Sequence, residues 1–126
     1  MSRDALERLR DILEALAAIR DYVGGSLADP SIQNQITLDA VLFRLLVIGE
    51  AAKNVDDELQ AAAPELPWND YAGLRDLIAH QYFRIQKEII EDTVRKDLPA
   101  LKLAIDRLPN SPPPAEDDTV EDSPRS

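Results

Sequence analysis

Between Leu38 and Leu59 apolar residues recur every three or four positions without a gap: Leu38, Val41, Leu45, Ile48, Ala52, Val55 and Leu59. That is the period of an α-helix; a strand, whose side chains alternate every two residues, could not gather this set on one side. A helix is therefore expected over residues 37–62, capped by Asn34 or Thr37. Leu42, Phe43, Leu46 and Val47 fall on its other faces. A helix that is apolar nearly all round must be covered nearly all round. A small bundle does not easily do that for a peripheral helix, so a second copy of the chain is expected to take the surplus.

The same period marks three more helices. Leu6, Leu9, Leu13, Leu16, Val23 and Leu27, with Arg20 in the one gap, predict a helix over residues 4–27, which Gly24 and Gly25 of VGGSLADPS can end. Pro64 and Pro67 of APELPW block continuation. A third helix follows over residues 70–82, capped by Asn69, with Tyr71, Leu74, Leu77 and Ile78 as its core stripe. YFRI, residues 82–85, is expected to bend the chain into a fourth helix from Gln86 towards Leu108. Ile89, Ile90, Val94, Leu98, Leu101 and Ile105 are its inward positions, and Pro99 is expected to kink or restart it. There is no internal repeat and no strand-like alternation. The fold class is all-α: an antiparallel four-helix bundle over residues 1–108, with residues 109–126, PNSPPPAEDDTVEDSPRS, as a disordered Pro-rich acidic tail.

Composition narrows the function. A chain of 126 residues suits one domain. It has no cysteine, so disulfides and thiolate metal sites are excluded. That fits a reducing cytosol; together with the lack of an apolar leader in MSRDALERLRDILEALAAIR it makes a cytoplasmic location the expectation. The longest apolar stretch, LDAVLFRLLVIG, is too short to span a membrane and carries Asp39 and Arg44. Net charge is −10, of which −4 lies beyond Leu108, leaving −6 for the helical part. An acidic domain gains nothing overall from electrostatics towards nucleic acid, so an RNA ligand would need a local basic patch. Arg84 and Lys87 could supply one, although solvated helix charges are the default reading.

The third helix carries the chemistry. On a wheel of about 100° per residue, Arg75, Asp76, His80 and Tyr82 surround the small Ala79 on the side away from the core stripe. Neutral imidazole can take a proton from a ribose 2′-hydroxyl, and imidazolium can return one to a leaving 5′-oxygen. A guanidinium can fork onto a phosphate. Asp76 and His80 are an i, i+4 pair, so Asp76 could orient the ring or raise its pKa. His80 is the chain's one histidine, and acid and base roles need two groups unless two copies meet at one cleft. From periodicity alone, such a polar face is most often simply solvated. No His-x-x-x-His or Glu-x-x-His pair, Gly-rich phosphate loop or Ser/Cys nucleophile motif with a second histidine is present, so neither a metal site nor a cofactor is expected. In GEAAK, residues 49–53, the small residues read as close helix packing, with Glu50 and Lys53 as a local pair. Trp68 reads as a core or loop anchor.

Arg75, His80 and Tyr82 together match the R-x4-6-H-x-Y signature of HEPN domains, and Asp76 matches the polar residue that commonly follows the arginine. IGEAAK (48–53), PELPW (64–68) and DLPAL (97–101) resemble, in order, segments of one branch, the HepT-like toxin ribonucleases. The resemblance spans residues 1–108. It implies a helical bundle that dimerises, with two motifs at one cleft, and metal-independent RNA cleavage by Arg75 and His80. It also implies a toxin role beside a nucleotidyltransferase antitoxin that transfers AMP from ATP to Tyr82; a larger assembly with that antitoxin stays open. The alternative is a non-catalytic helical dimer that binds the nucleotidyltransferase or a nucleotide. The acidic charge and tail are not part of the family pattern.

Overall fold

The computed structural model describes residues 1–109, 111 and 112. The expected disordered tail lies outside them apart from Pro109, Ser111 and Pro112. Five helices form, with no strand among the described residues: α1 (Arg3–Tyr22), α2 (Gln35–Lys53), α3 (Asp57–Ala62), α4 (Trp68–Gln81) and α5 (Lys87–Asp106). A 3-10 turn, Tyr82–Arg84, joins α4 to α5. Four of the helices are long, as the apolar period requires; α3 is a six-residue addition. None of the described helices is long and apolar enough to cross a membrane.

α1 starts on the Ser2 side chain, which accepts from the Ala5 N–H at 3.0 Å. It stops five residues short of the expected end. Gly24 and Gly25 take φ of +103° and +99°, and the Gly25 N–H returns to the Arg20 carbonyl at 2.7 Å. That is a Schellman closure, and the left-handed backbone it needs suits glycine. Leu27 is thereby placed in the loop rather than on the helix.

α2 begins on Asn34, whose side chain accepts from Thr37 N–H at 2.9 Å. It ends at Lys53, so the single helix expected over 37–62 is two. Asn54 caps α2 and Asp56 restarts the chain by accepting from Leu59 N–H at 2.9 Å. Short polar side chains that bond the backbone compete with helix continuation. Val55 and Leu59 remain buried, so the apolar period outlasts the helix that suggested it.

α2 is the central element, packed between α1 and α4. This corrects the expectation drawn from its apolar surplus. Leu42 is buried, Leu46 and Val47 pack partly buried against the core, and Phe43 alone of the four is exposed. Neighbouring helices of the same chain thus cover most of α2, and its composition does not by itself call for a second copy.

α5 runs unbroken through Pro99, contrary to the expected restart. The proline removes one helix hydrogen bond at a cost of about 3 kcal/mol. Leu98 and Leu101 on either side are fully buried, each worth about 1.5–3 kcal/mol, which offsets it. Ile89, expected inward, is exposed. All five helices contribute to one core, and no polar or charged side chain among the described residues is buried. The motif's polar groups therefore stand at the surface.

Candidate active site

α4 is set by its first turns. Pro67 precedes it, and Asn69, expected as the cap, lies inside its first turn. Trp68 is buried and its indole N–H donates to the Ala63 carbonyl at 3.0 Å, which settles it as a core anchor. Tyr71 is buried and its hydroxyl donates to the Asp97 carbonyl of α5 at 2.9 Å. Burial, then the nearby carboxylates of Asp97 and Asp70, push the Tyr71 phenol up to about 12. These aromatics and Ile78 fix the rotation of the helix. Leu74 is half-buried, but Leu77, expected in the core stripe, is 50 % exposed because no neighbouring element covers its side of α4.

Arg75 projects to the surface where α4 lies tight against Gly49 of α2. A Cβ on Gly49 would lie 2.9 Å from the Arg75 amide nitrogen and 3.2 Å from the Tyr71 carbonyl oxygen. Only glycine permits this approach. The next residue, Glu50, meets Arg75: its Oε1 lies 3.1 Å from the guanidinium Nε. Its Oε2 accepts from Asn54 Nδ2 at 3.2 Å, and the same nitrogen donates to the Glu50 main-chain oxygen at 2.9 Å. The small residues of GEAAK do serve packing. The local Glu50–Lys53 pair is replaced by this tertiary one.

His80 is exposed, and its Nδ1 lies 2.8 Å from the main-chain oxygen of Asp76. A carbonyl can only accept, so Nδ1 carries the proton and Nε2 presents its lone pair outward when the ring is neutral. Asp76 thus contacts the ring through its backbone, where the spacing had suggested its carboxylate.

Tyr82 ends α4 and opens the 3-10 turn. Its hydroxyl donates to Asp39 Oδ1 at 2.7 Å, and Gln35 Nε2 donates to the same oxygen at 2.9 Å. The Asp39 hydrogen bond raises the phenol's pKa, and the bonds from Tyr82 and Gln35 lower that of Asp39. Tyr82 also meets Phe83 edge-on at 5.2 Å between ring centres. Arg75 and Tyr82, both placed on the side away from the core stripe by the helix wheel, are therefore engaged near opposite ends of α2. Roughly 10 Å of helix rise separates them on α4. Asp39, Glu50 and Asn54 are the site residues that the sequence reading missed. Their partners lie on another helix or, for Asn54, depend on where α2 ends. The one available signal was Gly49 on a helix otherwise crowded with large side chains.

Arg84 sits in the 3-10 turn and Lys87 opens α5, both exposed near the motif. An apolar groove of about 190 Å³ lies under this turn, lined by Leu77, Ile78, Ile85 and Ile89 among others. A larger depression, about 610 Å³, lies around Asp57, Pro64, Trp68 and Asp70 and is lined by none of the motif residues. Among the described residues no group of three or more His, Cys, Asp or Glu side chains could hold a metal ion.

The model of the family described as "Ribonuclease HepT-like" matches residues 12–108. The probable ribonuclease HepT of Thermococcus cleftensis is 32 % identical over 108 residues, 86 % of this chain and 98 % of that protein. A Methanocaldococcus jannaschii protein named "Gamma-glutamylcyclotransferase and putative RNase" is 32 % identical over 102 residues, 81 % of this chain and 46 % of its own length. A second protein of that organism, named "Putative RNase", is 38 % identical over 97 residues, 77 % of this chain and 80 % of that protein. No solved structure matches the chain.

Proposed function

This chain belongs to the HepT-like ribonuclease family, and we propose that it is a metal-independent endoribonuclease, the toxin of a type VII-like toxin–antitoxin pair, acting through Arg75 and His80. The observation that carries the reading is the His80 ring. With Nδ1–H on the Asp76 carbonyl, Nε2 is free to act as a base at the surface. It takes the proton of a ribose 2′-hydroxyl as that oxygen attacks the adjacent phosphorus. The bond to the 5′-oxygen breaks, a protonated His80 of a second copy returns a proton to it, and a 2′,3′-cyclic phosphate remains. Arg75 stabilises the charge gathering on the phosphate.

The two-histidine step makes the active unit a homodimer. Exposed Phe43 on α2, Leu77 on α4, Phe83 in the 3-10 turn and Ile89 on α5 give such a dimer apolar surface to bury. Tyr82 is the acceptor for regulation. A nucleotidyltransferase antitoxin joins its Oη to the α-phosphorus of ATP and pyrophosphate leaves. The adduct ends the hydrogen bond to Asp39 and adds negative charge and bulk to the face that RNA must approach.

The net charge of −6 over the helical part favours a second reading, a non-catalytic module that binds the nucleotidyltransferase or a nucleotide. Expression of wild type, Arg75→Ala and His80→Ala without any partner separates the two. The enzyme reading expects growth arrest and EDTA-resistant RNA breakage with cyclic-phosphate ends from the wild type alone. It also expects a dimer by sedimentation at micromolar concentration. Activity that survives His80→Ala, that needs a divalent metal, or that comes from a clean monomer overturns it.

A further inference from the structure

Arg75 is a long, half-exposed side chain, and an unrestrained arginine has rotamer entropy to lose before it can grip a phosphate. Here three features limit that freedom. Gly49 brings the two backbones together at Arg75. Glu50 forms an ion pair with the guanidinium at its inner edge, Oε1 lying 3.1 Å from Nε. Asn54, the residue that caps α2, holds the other oxygen of the Glu50 carboxylate at 3.2 Å. A guanidinium has five N–H donors, one of them on Nε. Engagement through Nε leaves both Nη groups to fork onto a phosphate.

We infer that Glu50 is a positioning residue for RNA cleavage, holding Arg75 with its two Nη groups outward and itself braced by Asn54. The inference rests on the reading of Arg75 as a catalytic group. Stability gives Glu50 little reason to be there, because exposed ion pairs contribute little. Its charge also opposes RNA binding. A carboxylate beside a phosphate site weakens attraction to the backbone, so its role must lie in the orientation of the cation rather than in the affinity for substrate.

That opposition gives the test its sign. In the full-length chain, Glu50→Ala is expected to lower kcat by roughly tenfold to a hundredfold, the scale of a small misplacement at a reacting centre. KM should stay level or fall, because a negative charge has gone. Glu50→Gln retains an oxygen that can accept from Nε and should recover part of kcat. The Arg75 Nε–H resonance, read by NMR without substrate, should be ordered in the wild type and averaged in Glu50→Ala. An unchanged kcat in Glu50→Ala, or a matched loss of activity and melting temperature that Glu50→Gln does not relieve, overturns the inference. Arg75→Ala run in parallel separates this from the premise. If Arg75→Ala still cleaves, or the wild type never does, the cleavage reading has failed, and the inference about cleavage falls with it. If Arg75→Ala is dead while Glu50→Ala is fully active, only the role given to Glu50 has failed.

Discussion

The two halves of α4 are held by different physics. From Trp68 to Arg75 the helix is fastened by a buried indole, by a buried phenol bonded to α5, and by a backbone approach to Gly49 that leaves no room for a methyl group. From Asp76 to the 3-10 turn one side chain, Ile78, is buried. The contacts of His80 and Tyr82 there are single hydrogen bonds at the surface, and Phe83 is 97 % exposed. The first half provides rigidity and presents a cation at its end. The second half presents the groups that must meet a substrate or a modifying enzyme, which a buried group could not do. Precision thus comes from the anchored half, while access belongs to the loose one.

The sharpest way to break this contrast is to cut the anchor. Trp68→Ala should cost roughly 3–5 kcal/mol of stability, the range for removing a buried aromatic, measured by denaturant unfolding. A loss under about 1 kcal/mol would mean that the first half is not what holds α4. Gly49→Ala should cost less, about 1–2 kcal/mol. The clash is with backbone atoms that cannot rotate away, and the better helix propensity of alanine returns part of the cost. A neutral or stabilising result would show that α2 and α4 can separate freely.

Tyr71 gives the anchored half a pH signature. Its phenol ionises near 10 when unfolded and is held up to about 12 in the fold, first by burial and then by Asp97 and Asp70. Above pH 10 the unfolded chain has lost this proton while the folded chain keeps it, so stability falls with rising pH. The contribution is fully present below pH 10 and is lost as pH approaches 12. Chemical denaturation across this window should show the wild type losing stability faster than Tyr71→Phe; parallel curves would remove the buried phenol from the account.

The smallest effects belong to the loose half. Tyr82→Phe and Phe83→Ser should change the melting temperature little, since the first removes one surface hydrogen bond and the second a ring that stands almost wholly in water. Tyr82→Phe should nevertheless accept no AMP from a nucleotidyltransferase and ATP, as read by intact mass. A marked drop in melting temperature for either variant would erase the distinction between the two halves.

Much of this molecule is legible locally. Apolar spacing located four long helices, Gly24 and Gly25 marked a terminus, and the polar face bearing Arg75 and His80 stands exposed as the spacing implied. The errors share a cause. Leu77 and Ile89 fit an apolar stripe but project where no neighbouring element covers them. Val55 and Leu59 keep the period across a break made by Asn54 and Asp56. Periodicity reports which way a side chain points, and leaves open what stands opposite.

By itself the sequence determined the four long helices and the residues available for chemistry, because each depends on backbone geometry within a few positions. Tertiary structure decided the partners. Glu50 turns to Arg75 instead of Lys53, Tyr82 reaches Asp39 at 43 residues' separation, and His80 rests on a carbonyl rather than a carboxylate. The two cross-helix pairs depend on the register and closeness with which α4 lies against α2, and the third on the rotamer His80 takes at the exposed end of α4. A helical period does not encode either. Gly49, by letting the backbones meet at Arg75, sets that register.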